Sequence, residues 1–223
     1  MIPLKDRNPT RRVPVVTITL IAVNAAVFLY EISLGEGLAL FFQRFGAVPA
    51  SIVHSLNPGG LVPGALLPIL TSMFVHGGWL HLIGNMLYLW VFGDNVEDKL
   101  GRPRFLVFYL LCGFTASSLH VVVDPTSATP MVGASGAISG VLGAYLLMFP
   151  GARVVTLIPI FVFLQVAELP ALVVLGFWFV MQFFNGVLSL GFEAGGMGGV
   201  AWWAHVGGFA AGLLFVVPFR RFR

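Results

Sequence analysis

An all-α membrane protein is the fold class this sequence predicts. It would hold six transmembrane helices in one bundle, with a long external loop between the first and the second. Three observations predict it. Apolar residues make up 58% of the 223 positions and charged residues only 9%, more apolar surface than a water-soluble domain of this size can hide. The apolar residues gather in runs of near-bilayer length. The basic residues fall where a membrane topology would put them.

The elements follow in order. Residues 1–12 are polar and basic, with Pro9 before the first apolar run. That run, Val13–Ser33, is long and has no obvious cleavage site, so it reads as a retained first span rather than a signal peptide. The stretch from there to Gly78 is broken by Val48-Pro49-Ala50, Pro58-Gly59-Gly60 and Pro63-Gly64. It reads as a loop whose Phe41, Phe42, Phe45 and Ile52 suit the membrane interface. Spans two and three are Trp79–Gly93 and Arg104–Val123. Span four, Ser135–Phe149, is closed by Pro150-Gly151. Spans five and six are Leu172–Leu190 and Ala201–Phe219. Val154–Ala167 is apolar but only 14 residues long, with Pro159 inside. That is short of the roughly 20 residues a crossing needs, so an interfacial or re-entrant segment is expected.

Charge orients the six spans. With the N-terminus inside, Lys5, Arg7, Arg11, Arg12, Lys99, Arg102, Arg104, Arg153, Arg220, Arg221 and Arg223 are cytoplasmic and Arg44 alone is outside. This obeys the positive-inside rule. It divides the chain into a cytoplasmic basic N-terminus (1–12), one transmembrane domain (13–219) and a cytoplasmic basic tail (220–223), in the plasma or inner membrane. The net charge of +3 is thus a topology signal, and no nucleic-acid partner is expected. No internal repeat of the transporter kind is visible. The single cysteine, Cys112, excludes an intrachain disulfide, offers no metal set and reads as a packing residue. No cofactor or metal is expected.

Two stretches carry candidate chemistry. Gly133-Ala134-Ser135-Gly136 opens span four, and Gly136 and Gly140 recur every four residues. Ala204-His205-Val206-Gly207-Gly208 opens span six, with Gly212 a turn on. Small residues at that spacing let helix backbones approach closely, and packing alone is the plain reading of either face. Depth brings the polar residues together. At about 1.5 Å per residue, Ser135 stands about 22 Å above its helix's cytoplasmic end, His205 about 21 Å, His81 about 20 Å and Asn85 about 14 Å. Each has a structural alternative, as interhelical glue or an interfacial residue. Together they supply a nucleophile, a base and hydrogen-bond donors, the set acyl transfer needs. The Ser135 N–H sits at a helix N-terminus, where negative charge is favoured. Asn85 and His81, four apart, share a helix face. No acidic residue lies at this depth, so a Ser–His dyad without a carboxylate orienter is expected. Span four is too short to cross fully, so the loop Asp124–Val132 must dip inward or the bilayer thin, either of which admits water to Ser135. Span five, ending in the glycine-rich Gly191–Gly199, is the expected moving wall for substrate entry. There Trp178, Phe183 and Phe184 would slide, and Phe192 and Met197 would plug the site from above.

These residues resemble the rhomboid family of intramembrane serine proteases. The likeness rests on Gly133-Ala134-Ser135-Gly136 (GxSG), on His205 followed by Gly208 and Gly212 (HxxGxxxG), and on His81-x-x-x-Asn85 preceded by His76. Glu97 with Gly101 matches the family's cytoplasmic turn. The resemblance implies a six-helix core that cleaves transmembrane protein substrates from the lipid bilayer. It implies Ser135 as nucleophile, His205 as general base, and Asn85, His81 and the Ser135 N–H as the oxyanion hole. It implies helix packing at Gly136, Gly140, Gly208 and Gly212. Two positions depart. Leu67-Pro68 stands where many members have Trp-Arg. Ser139 stands where some carry a tyrosine against the histidine ring, so another group must hold His205. A rhomboid-like pseudoprotease that binds helices without cutting is the alternative, against which the intact Ser135–His205 pair argues. A transporter would need a polar path through cytoplasmic halves that are almost wholly apolar.

Overall fold

The computed structural model describes residues 1–56, 64–160, 163–190 and 200–219. The basic tail 220–223, the glycine-rich Gly191–Gly199 with Phe192 and Met197, and Pro58-Gly59-Gly60 with Pro63 lie outside the described residues. The helices are α1 (Val15–Ser33), α2 (Leu38–Phe45), α3 (Pro49–Leu56), α4 (Leu67–Thr71), α5 (Trp79–Leu100), α6 (Arg102–Val123), α7 (Ser135–Met148), α8 (Ala171–Ser189) and α9 (Trp202–Phe219). Among the described residues three strands accompany them: β1 (Ile2–Asp6), β2 (Arg153–Ile160) and β3 (Phe163–Pro170).

The molecule is mostly helical. Among the described residues four helices, α1, α6, α8 and α9, are long and apolar enough to cross a membrane. α7 is apolar but has only 14 residues. α5 has 22 residues and runs past the expected end at Gly93 into the charged turns of Asp94, Glu97, Asp98 and Lys99.

The strands correct the all-α expectation. The described residues of Val154–Ala167 lie in two antiparallel strands, paired from Arg153↔Pro170 to Ile160↔Phe163. β1 joins β2 antiparallel, Asp6 opposite Val154 and Ile2 opposite Leu157. The physical reason is composition: Val154, Val155, Thr156, Ile158 and Ile160 are β-branched and fit a pleated surface better than a helix. β1 is fastened at its C-terminal end. The buried Asp6 carboxylate accepts hydrogen bonds from Asn95 Nδ2 (2.9 Å) and Tyr145 OH (2.6 Å). Arg7 pairs with Glu168 of β3, and its N–H donates to Arg153 O.

α7 is the central helix, and small residues explain why. A Cβ on Gly140 would collide with Cys112 of α6, and one on Gly136 would come within 2.8 Å of the Ala116 Cβ. On another side, a Cβ on Gly208 or Gly212 of α9 would run into the carbonyl oxygens of Gly136 and Gly140. α6 and α9 therefore approach α7 closer than side chains allow. Below this layer Leu89, Phe92, Phe105, Phe108, Tyr109, Leu142 and Tyr145 are fully buried.

α1 begins after Pro14 with no side-chain cap of its own. Glu97 of α5 supplies one. Its carboxylate accepts from the N–H groups of Val16 (3.0 Å) and Thr17 (2.8 Å) and from Thr17 Oγ1 (2.8 Å). That satisfies free donors at a helix N-terminus with a negative charge. The first loop is tied down without the Trp-Arg pair. Thr71 Oγ1 donates to Phe45 O (2.7 Å). Ala47 and Met131 exchange backbone hydrogen bonds of 2.9 Å, which fastens the loop to the segment leading into α7.

Candidate active site

Ser135 is the first residue of α7, and His205 lies one turn into α9. The glycine contacts between those helices bring the two side chains together. His205 Nε2 lies 2.8 Å from Ser135 Oγ. On the other side of the ring, Nδ1 lies 2.7 Å from Oε1 of Gln182, a buried side chain of α8. Trp178, one turn before Gln182, tilts over the imidazole with ring centroids 5.9 Å apart, and Trp202 meets it edge-on at 6.1 Å. Ser139, at the tyrosine position of some relatives, does not reach the histidine; its hydroxyl donates back to Ser135 O (2.6 Å).

Ser135, His205, Asn85 and His81 all line one cleft of about 640 Å³, with Tyr88, Trp178 and Gln182. Pro130, Met131 and Val132, from the loop before α7, form part of its wall. His81 is oriented by a local contact: the Gly77 N–H donates to its Nδ1 (3.3 Å). Its Nε2 then carries the proton and is a donor. Gly133 allows the backbone to pass beneath it. Its φ is +124°, and a Cβ there would stand 2.6 Å from His81 Nε2 and 3.5 Å from Asn85 Nδ2. Both conditions demand glycine. Asn85 Nδ2 is buried without a hydrogen-bond partner. A buried donor left open at a cleft is costly and is a place for a ligand oxygen. Two donors thus flank the backbone just ahead of Ser135.

His76 lies behind this pair. Its backbone N–H donates to both oxygens of buried Glu31 (3.2 Å each), and its ring packs edge-on against His81 at 5.2 Å. Glu31 therefore fastens the segment leading into α5 to α1. Of the three bulky residues expected to move on span five, Phe183 and Phe184 are exposed. Trp178 points inward, between Tyr88 and His205. Gln182 is the residue sequence reasoning missed. The available signal was an amide interrupting the apolar run Leu172–Phe184, one helical turn after Trp178. Among the described residues no cluster of His, Cys, Asp and Glu could hold a metal ion.

A serine and a histidine in hydrogen-bond contact share one cleft between apolar helices. Residues 63–222 match the rhomboid domain model, and the chain belongs to the rhomboid family. It is 37% identical over 134 residues to the rhomboid protease GluP of Bacillus subtilis, a match covering 60% of this chain and 24% of that protein. It is 30% identical over 180 residues to the mouse mitochondrial presenilin-associated rhomboid-like protein, covering 77% of this chain and 44% of the other. It is 35% identical over 89 residues to the putative rhomboid protease YdcA of Bacillus subtilis, covering 40% and 44%. These matches span between 24% and 44% of the relatives' own length. With its apolar helices, family membership makes it a multi-pass membrane protein.

Proposed function

We propose that this chain is an intramembrane serine endopeptidase that hydrolyses peptide bonds of transmembrane protein substrates. One observation carries the reading: the 2.8 Å contact between Ser135 Oγ and His205 Nε2, in a cleft shared with Asn85 and His81. His205 takes the Ser135 proton as Oγ attacks the scissile carbonyl carbon, forming a tetrahedral oxyanion. His81 Nε2–H, Asn85 Nδ2 and the Ser135 N–H stabilise that charge. His205 then protonates the departing amine, leaving an acyl-enzyme. Water, activated by the same histidine, releases the acid and restores Ser135.

The architecture we infer is six crossings, α1, α5, α6, α7, α8 and α9, with residues 13–219 as one domain. Residues 1–12 and 220–223 lie in the cytoplasm of a cell whose plasma or inner membrane holds the protein. The positive-inside distribution supports it, and it puts the cleft toward the outer side, where α7 starts. Cysteines introduced at Glu36 and at Lys99 check this: the first should react with an impermeant maleimide in intact cells, the second only after permeabilisation.

The activity test is reconstitution with a panel of single-span substrates and mass mapping of products. Cleavage near the outer end of a span, lost in Ser135→Ala, is expected. Substrates that co-purify uncut with the wild type, or equal cleavage by Ser135→Ala, would overturn the proposal.

A further inference from the structure

Beyond the serine and histidine, we propose that Gln182 is the positioning residue for the base. In this reading its carboxamide oxygen fixes His205 as the Nδ1–H tautomer, so that α8 controls whether the dyad is competent. The proposal rests on the Ser135–His205 mechanism above.

The chemistry turns on which ring nitrogen carries the proton. A neutral imidazole has one donor and one acceptor nitrogen. To take the Ser135 proton, Nε2 must be the acceptor, so Nδ1 must be the donor. Elsewhere a carboxylate commonly fills that place, but among the described residues the ring's hydrogen-bond partners are Gln182 and Ser135. The oxygen 2.7 Å from Nδ1 belongs to Gln182. An amide can present either an acceptor oxygen or a donor NH₂. With oxygen toward Nδ1 the ring is a base. With NH₂ there, Nε2 would carry the proton and point it at Ser135 Oγ, and no proton could be accepted. Gln182 is buried, so losing its oxygen leaves the Nδ1–H without that partner, which is costly.

The orienting groups share one helix. Gln182 holds the Nδ1 edge, and Trp178, one turn earlier, covers the ring. Ser135 and His205 are set by a different contact, that of α7 with α9 through Gly136, Gly140, Gly208 and Gly212. The distance between nucleophile and base therefore belongs to α7 and α9, and the base's tautomer belongs to α8. The outer face of α8 is exposed at Phe177, Val180, Phe183, Phe184 and Val187, where lipid or a substrate segment can press on it. A substrate that shifts α8 changes the base itself, without separating the dyad.

The test has two arms. The first uses the wild type with ¹⁵N-labelled histidine in micelles. The His205 signals should be those of a protonated Nδ1 and a bare Nε2; a protonated Nε2 as the major form overturns the proposal. The second compares variants on a transmembrane substrate. Gln182→Leu should lower kcat about 10- to 100-fold with KM changed less than about threefold, a loss of activity larger than any fall in its melting temperature accounts for. Gln182→Glu, which keeps an oxygen at Nδ1, should restore kcat to within about tenfold of wild type. Wild-type kcat in Gln182→Leu, or equal loss in the Leu and Glu variants, overturns it. Should the wild type show no Ser135-dependent cleavage at all, the failure is that of the proposed function, and the tautomer measurement still decides the role of Gln182.

Discussion

Gly212 lies directly against the carbonyl oxygen of Gly140, and Gly208 repeats the contact at Gly136, one turn nearer the cleft. A methyl group fits at neither position. Gly208 is three residues from His205, and Gly136 follows Ser135, so this contact sets the dyad distance. Gly208→Ala or Gly212→Ala must push α9 off α7, at an expected cost of about 1–3 kcal/mol for overpacking. Proteolysis should fall more steeply than stability. Gly176 of α8, whose Cβ would meet nothing within 4 Å, is the control: Gly176→Ala should gain about 0.5–1 kcal/mol from helix propensity. Melting in detergent beside a cleavage assay separates the two.

Glu97 caps α1 from a neighbouring helix through three hydrogen bonds. Glu97→Ala leaves the Val16 and Thr17 donors without partners and should cost about 2–3 kcal/mol. Thr17→Val removes one of the three and should cost about half as much. Thermal denaturation of the purified chain checks the order. Equal losses would mean the carboxylate acts through something other than the cap.

Asn85 Nδ2 is buried and unpaired in the free protein. If its partner is the oxyanion, Asn85→Ala should lower kcat about 10²- to 10³-fold with little change in KM. Removing an unsatisfied donor should leave stability the same or slightly higher. A variant with reduced stability and unchanged kcat would mark Asn85 as interhelical glue.

Burial raises the Asp6 carboxyl above its ordinary value of 3.8, against the lowering effect of the Tyr145 hydrogen bond. A raised carboxyl favours the folded, docked strand in its protonated form. Docking of β1 should therefore tighten as the pH falls through the raised value, be fully tightened below about 3.8, and loosen as the pH climbs back. Amide exchange at Leu4 and Lys5 follows this directly. Asp6→Asn should remove this component of the pH dependence, leaving that of Asp94, which shares Asn95 with Asp6.

The helices were legible because apolar length and Gly-Pro punctuation mark them. α6, α7, α8 and α9 begin and end within two residues of the expected spans. The positions of Ser135, His205, His81 and Asn85 in one cleft were legible from depth, since residue rise in a helix is nearly constant. Three features were not. The strand pair of β2 and β3 was weighed only against crossing length, and its partner β1 lies about 150 residues earlier in the chain. Trp178 reads as one lipid-facing aromatic among many until α8 is rotated into place. Gln182 carries no spacing signal, because its partner, His205, sits on another helix.

The most direct measurement is reaction of the purified chain with a fluorophosphonate, followed by peptide mass mapping. Only a serine activated by a neighbouring base reacts readily. Stoichiometric label on Ser135, lost in His205→Ala, is the predicted result. Label on another residue, no reaction in the wild type, or equal labelling without His205 would contradict the account.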